Sequence, residues 1–186
     1  MVTSIDFTRI LDEEKFKELL LYVADKCSDD PDFGATKLNK ILFYADFQAY
    51  GLYGEPITGS PYFKLRRGPA PKYLKPIRDN MEGDGDIVIQ HKQRFNQTQH
   101  RIIPLKEANL DVFYAKEIAL VDKVIEAFCG INADGASKVS HMEAGYNIAG
   151  NKEDIPYEAV FLSSRSLTEY EVRHGLELAE TCGWAI

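Results

Sequence analysis

His141 and Glu143 stand two residues apart, and an imidazole beside a carboxylate is the pairing that general acid–base catalysis uses. Side chains two apart on a helix do not share a face, so the pair can cooperate only if a helix ends there. The alternative is a packed or capping histidine. His91 and His100 flank a predicted turn and would meet across a hairpin. Two imidazoles fall short of a zinc site, and exposed strand residues are the competing reading. A third group is the basic segment Lys64, Arg66, Arg67, Lys72, Lys75 and Arg78, interleaved with Tyr62, Phe63, Tyr73 and several prolines. Bases can stack on such rings while the cations meet phosphates. Equally, arginines and aromatics on a Pro-stiffened segment are what protein interfaces concentrate. The common reactive signatures are missing: there is no GxxxxGK[ST], no GxGxxG after a strand, no GxSxG and no HExxH. No catalytic motif, cofactor site or metal site is therefore predicted.

These residues sit in a chain of 186 residues with 45% hydrophobic and 27% charged side chains and a formal charge of -7. That length can bury a single core without a metal or disulfide, and 11% aromatics without low-complexity tracts exclude intrinsic disorder. No apolar run approaches the roughly 20 residues that span a bilayer. The opening MVTSIDFTRILDEEKF has neither a basic flank nor an apolar core, so no signal peptide and a cytoplasmic location are expected. Cys27, Cys129 and Cys182 are odd in number and lie far apart, which points to reduced, mostly packed thiols. The charge is unevenly spread. Residues 1–60 hold 6 basic and 11 acidic side chains, residues 61–106 hold 10 and 4, and residues 107–186 hold 6 and 14. The acidic total argues against a nucleic-acid partner, whereas the basic middle suits an acidic protein surface or the chain's own acidic helices.

Periodicity supplies the elements. Asp12 opens DEEKFKELLLYVADKC, whose Phe16, Leu19, Leu20, Val23, Ala24 and Cys27 form one apolar stripe. Thr36 is the predicted cap of a central helix with an inner stripe through Leu38, Ile41, Leu42, Ala45, Ala49 and Leu52, widened by Tyr44, Phe47, Tyr50 and Tyr53. Gly51 and Gly54 mark its exit. PYFKLRRGPAP reads as a short extended piece; Pro71 then opens a short helix that Pro76 must break or restart. Residues 86–105 alternate as a hairpin with a polar turn near Asn96 to Thr98. A further helix carries Ala115, Ile118, Leu120, Val121, Val124, Ile125 and Phe128, and Asp134 is the predicted cap of the next. Thr168 and Glu171 form a capping box for the last helix. The expected fold is mainly α (α+β), a compact helical domain with one small antiparallel β-hairpin. No boundary divides residues 1–186, and the motif-bearing core runs from about 36 to 162.

Three strings in register carry a resemblance. KLNKILFYADFQAYGLYGEPITG places Lys37, Leu38, Lys40, Leu42, Tyr44, Gly54 and Pro56 on a Lys-Leu-x-Lys-hydrophobic-hydrophobic-x-Tyr helix and the Gly-x-Pro turn after it. KLRRGPAPKYL holds Gly68-Pro69, with Arg67 where Tyr is frequent. ASKVSHMEAGYNIAG and DIPYEAVF supply Ser140, His141, Tyr146 and Pro156, with Tyr146 where Trp is frequent. Together they resemble the Panacea domain family, which includes SocA-like antitoxins and GepA-like phage-associated proteins.

The resemblance implies a protein-binding module, not an enzyme, that neutralises a cognate toxin protein. Its SocA-like branch further implies a proteolytic adaptor that presents the toxin to an AAA+ protease. Phe63, Arg66, Arg67, Tyr73 and the helix face bearing Tyr50 are the predicted partner surface, and His141 is expected to hold neighbouring loops through its ring nitrogens. Nucleic-acid binding through segment 64–78 and an enzyme using His141 and Glu143 remain alternatives.

Overall fold

In a computed structural model of the protein, which describes residues 11–94, 97–162 and 169–183, Asp12 caps the first helix as its position predicts. Its side chain accepts the Lys15 amide at 3.0 Å, satisfying one of the orphan N–H groups at the start of α1 (Glu13–Lys26). The whole predicted apolar stripe is buried, with Leu21 and Tyr22 beside it. α2 (Ala35–Tyr53) starts one residue before Thr36, with Gly34 at the cap position and no side-chain cap. It runs through the centre of the molecule and packs on α1, on both sheets and on the later helices. Ten of its residues are buried, among them Lys37, Lys40 and Asp46. Leu52, placed in the inner stripe by its spacing, is instead 65% exposed, because the helix has left the core by its last turn. Gly54 ends it in the left-handed conformation.

The extended piece after α2 is more than a linker. β1 (Tyr62–Leu65) and β2 (Gly68–Pro71) form a tight antiparallel hairpin whose connection is Arg66-Arg67 alone. β5 (Asp154–Ile155) adds on the other side of β1, giving the order β2-β1-β5. Pro69 and Pro71 sit on an edge strand of this sheet, where missing donors are tolerated. Pro71 therefore belongs to β2, and α3 (Leu74–Gly83) begins three residues later. Pro76 does not interrupt α3. It falls in the first turn, where its absent N–H would have had no helical partner.

The predicted hairpin is β3 (Ile87–Arg94) and β4 (Gln97–Pro104), with Ile89 opposite Ile102 and His91 opposite His100. Asn96, in its predicted turn, lies outside the described residues. Arg101 fastens this hairpin to the loop after α1, donating to the carbonyls of Cys27 and Asp30 at 2.9 Å and to that of Ser28.

α4 (Ala115–Ala127) buries Leu120, Val121 and Val124, with Ile118 and Ile125 half-buried, while Ala115 faces solvent. α5 (Ala133–Ser140) is capped by Asn132, whose side chain accepts the Gly135 amide; Asp134 lies within the first turn. α6 (Ala144–Ile148) and a 3₁₀ helix (Tyr157–Phe161) flank β5. α7 (Glu169–Cys182) is the last helix. Thr168 and the Glu171 side chain, the predicted capping box, lie outside the described residues. The mainly α fold class holds, with a second small antiparallel sheet added.

The core has two parts. One gathers α1, α2, α4 and the β3–β4 hairpin around Phe16, Leu20, Ile41, Ile102 and Val121. The other is aromatic: Phe43, Phe47, Tyr62 and Tyr157 contact one another edge-on or tilted at 4.1–6.2 Å. Cys27 is buried and Cys129 is exposed, so the thiols are not uniformly packed. Among the described residues no helix is long and apolar enough to cross a membrane.

Candidate functional site

Lys40 lies on the inner face of α2, 1% exposed, and its Nζ donates to the backbone carbonyl of Pro69 at 2.8 Å. Burial pushes its ammonium down from the usual 10.5 to about 7, since a charge is costly where water cannot reach it. Directly above it sits Gly68 with φ +100, a conformation that side chains with a Cβ rarely adopt. A Cβ here would collide with Ser140 Oγ and lie 2.6 Å from Lys40 Cε and 2.7 Å from Lys40 Nζ. The β1–β2 turn thus rests on a buried lysine and on the last residue of α5.

A second contact set holds the turn from the side. The Tyr146 hydroxyl donates to the Leu65 carbonyl at 3.0 Å. The His141 ring stacks on Tyr146 at 4.6 Å and 9°, and the Lys64 ammonium lies 4.6 Å from the centre of the same ring. Lys64 also donates to the Ala149 carbonyl at 2.9 Å. Of the ring nitrogens expected to hold neighbouring loops, Nε2 is buried with no hydrogen-bond partner among the described residues, and the face of the ring makes the contact to Tyr146.

Lys40, Gly68, Pro69, Ser140, His141 and Tyr146, far apart in sequence, are therefore one cluster around the β1–β2 turn. The other singled-out residues fall elsewhere. Lys37 is buried against Asp30 in an ion pair at the start of α2, and Leu38 is a core residue. Tyr44 donates to Glu143 at 2.7 Å. Gly54 and Pro56 shape the exit from α2, and Pro156 caps the 3₁₀ helix.

The cluster presents Arg66 and Arg67, both exposed at the tip of the hairpin. Tyr73, 46% exposed, follows β2, and Phe63 is half-buried on β1. Lys72 pairs with Asp154 across the sheet, and Arg78 with Asp79 at 2.8 Å, so part of the basic segment is neutralised within the chain. Tyr50 is not at this tip. Its ring meets Tyr157 and Phe161, and its hydroxyl donates to Glu158 at 3.0 Å.

Tyr62, considered as a base-stacking ring, is 1% exposed; it belongs to the aromatic core and donates to Asp46 at 2.7 Å. α5 ends at Ser140 with His141 at the C-cap, as cooperation with Glu143 would require, yet each side chain turns to a different tyrosine. His91 and His100 do meet, edge to face at 4.7 Å. Among the described residues no group of three or more His, Cys, Asp or Glu is placed to hold a metal.

The reading of the sequence missed Asp46. It is fully buried and accepts from the Thr58 amide at 2.7 Å, the Thr58 hydroxyl at 2.6 Å and Tyr62. Burial outweighs these three bonds and raises its carboxyl to about 6. The signal was present: Asp46 is four residues after Leu42 and three before Ala49, in phase with the apolar stripe.

A family model described as Antitoxin SocA-like, Panacea domain matches residues 38–145. No curated protein and no solved structure matches the chain.

Proposed function

The chain belongs to the antitoxin SocA-like Panacea domain family, and from that premise we propose that it is a protein-binding antitoxin whose β1–β2 turn engages a partner toxin. The observation that carries this reading is the use made of the motif residues. Lys40, Gly68 and Ser140 fix the base of a hairpin whose connection is two exposed arginines. Fixing the base lowers the ordering cost of binding at the tip. Arginine and tyrosine in a rigid setting are the residue types that dominate interface energies. Phe63, Arg66, Arg67 and Tyr73 form this contact area, and acidic side chains on the toxin are its complement. Tyr50, with Phe161 beside it, supplies a second, apolar area. Delivery of the bound toxin to an AAA+ protease is the extension that the SocA-like resemblance supports.

The test is co-expression with the product of the neighbouring gene. That product is expected to arrest growth alone, to be neutralised by this protein and to co-purify with it. A neighbour that is harmless alone, or that stays toxic beside this protein and fails to co-purify, overturns the reading. For the adaptor step, the half-life of the toxin should shorten only when both this protein and the protease are present.

A further inference from the structure

We infer that the cavity between α2, α6 and the 3₁₀ helix seats an apolar side chain of the bound toxin, with a basic side chain of the toxin received by Glu143. This rests on the protein-binding reading above but places a separate contact, away from the arginine tip. The cavity holds about 140 Å³, close to the roughly 150 Å³ of an apolar cavity that takes up benzene. Phe43, Phe47, Ile155, Ala159 and Val160 supply its apolar lining. Gly145 brings α6 close against this lining: a Cβ there would lie 2.6 Å from Ala159 Cβ and 2.9 Å from Ile155 Cγ2, so the backbone packs directly on the 3₁₀ helix and β5.

Its lining includes the Glu143 carboxylate, held by the Tyr44 hydroxyl at 2.7 Å. Glu158, which accepts from Tyr50, adds negative charge on the same 3₁₀ helix. An apolar recess beside carboxylates complements an apolar side chain next to a lysine or arginine. The surroundings favour a protein over a small molecule. Met142 and Phe161, chain neighbours of the lining residues Glu143 and Val160, are 64% and 66% exposed. A ligand that only filled the cavity would leave them uncovered, whereas a partner surface would bury them around a central anchor.

The probes are phenethylammonium, which joins a ring to a cation, and phenylacetate, its anionic counterpart, each titrated into the full chain while the amides of Gly145 and Val160 are followed by NMR. Phenethylammonium is expected to shift both amides saturably, with half-saturation below about 10 mM. Phenylacetate should bind at least about threefold more weakly. Glu143→Gln should remove that preference, and Ala159→Leu, which fills the cavity, should abolish both shifts. In co-purification, Ala159→Leu and Glu143→Gln should each lower toxin recovery at least about fivefold while the amide spectrum stays folded. Absent shifts with phenethylammonium, or contacts showing residues 163–168 of the chain itself in the cavity, overturn the inference. So does full toxin recovery by a folded Ala159→Leu or Glu143→Gln variant. A wild-type chain that takes phenethylammonium but fails to neutralise its neighbour would leave the cavity standing and overturn the antitoxin reading instead.

Discussion

The buried ammonium of Lys40 donates to the backbone carbonyl of Pro69, so one side chain on the central helix holds the strand that follows the arginine turn. Gly68, the residue before Pro69, has to be a glycine for that bond to form, since any Cβ would occupy the space of Lys40 and Ser140.

Gly68→Ala is accordingly expected to destabilise the fold by about 2–4 kcal/mol, combining the positive φ with overpacking against Lys40 and Ser140. Urea denaturation measures it. A loss under about 0.5 kcal/mol would show that the turn does not rest on Lys40.

Stability should dip near neutrality. Asp46 has its carboxyl raised from 3.8 to about 6 by burial, so folding favours the protonated form. That contribution is complete below 3.8 and is lost as pH rises through 6. Lys40 is lowered from 10.5 to about 7, so folding favours its neutral form. That contribution is complete above 10.5 and is lost as pH falls through 7. Between about 6 and 7 neither is in place. Urea midpoints from pH 4 to 10 are expected to show a trough there that becomes shallower in Asp46→Asn on its acid side and in Lys40→Met on its alkaline side. Parallel curves for all three proteins would refute the assignment.

Replacing both tip arginines, Arg66→Glu with Arg67→Glu, should leave the unfolding free energy from urea denaturation within about 0.5 kcal/mol of wild type, since both residues are exposed. The same variant should lose rescue in the co-expression assay. Rescue that survives the double reversal would move the toxin contact off this turn.

Tyr146→Phe removes one hydrogen bond, to the Leu65 carbonyl, while keeping the ring that meets His141 and Lys64. It should cost about 1 kcal/mol. His141→Ala removes the stacking partner and should cost a comparable amount. Thermal melts distinguish both from a neutral change.

Periodicity made α1, α2, α4 and the β3–β4 hairpin legible, because each buries one face and the pattern of burial is the pattern of apolar residues. The β1–β2 hairpin was only half legible. Its extended character showed in the sequence, but the pairing of Leu65 with Gly68 depends on Lys40, Ser140 and Tyr146, which lie up to about 80 residues away. Exposed Leu52 and buried Asp46 went astray for a related reason: hydropathy ranks side chains by type, whereas burial follows where the helix meets its neighbours. The cluster residues could be singled out one at a time by resemblance, yet their convergence is a property of the fold.

The prolines of β2 also decide how this sheet can be approached. The amide of Lys72 bonds inward to the Pro61 carbonyl, so Gly68 and Ala70 share that inward side and the outward positions are Pro69 and Pro71. The outer edge therefore offers no N–H, and its Pro69 carbonyl is already taken by Lys40. An incoming strand would find no ladder to extend there, which protects the sheet from edge-to-edge aggregation. It also closes β-augmentation at that edge to any partner. Recognition around β2 must be made by side chains.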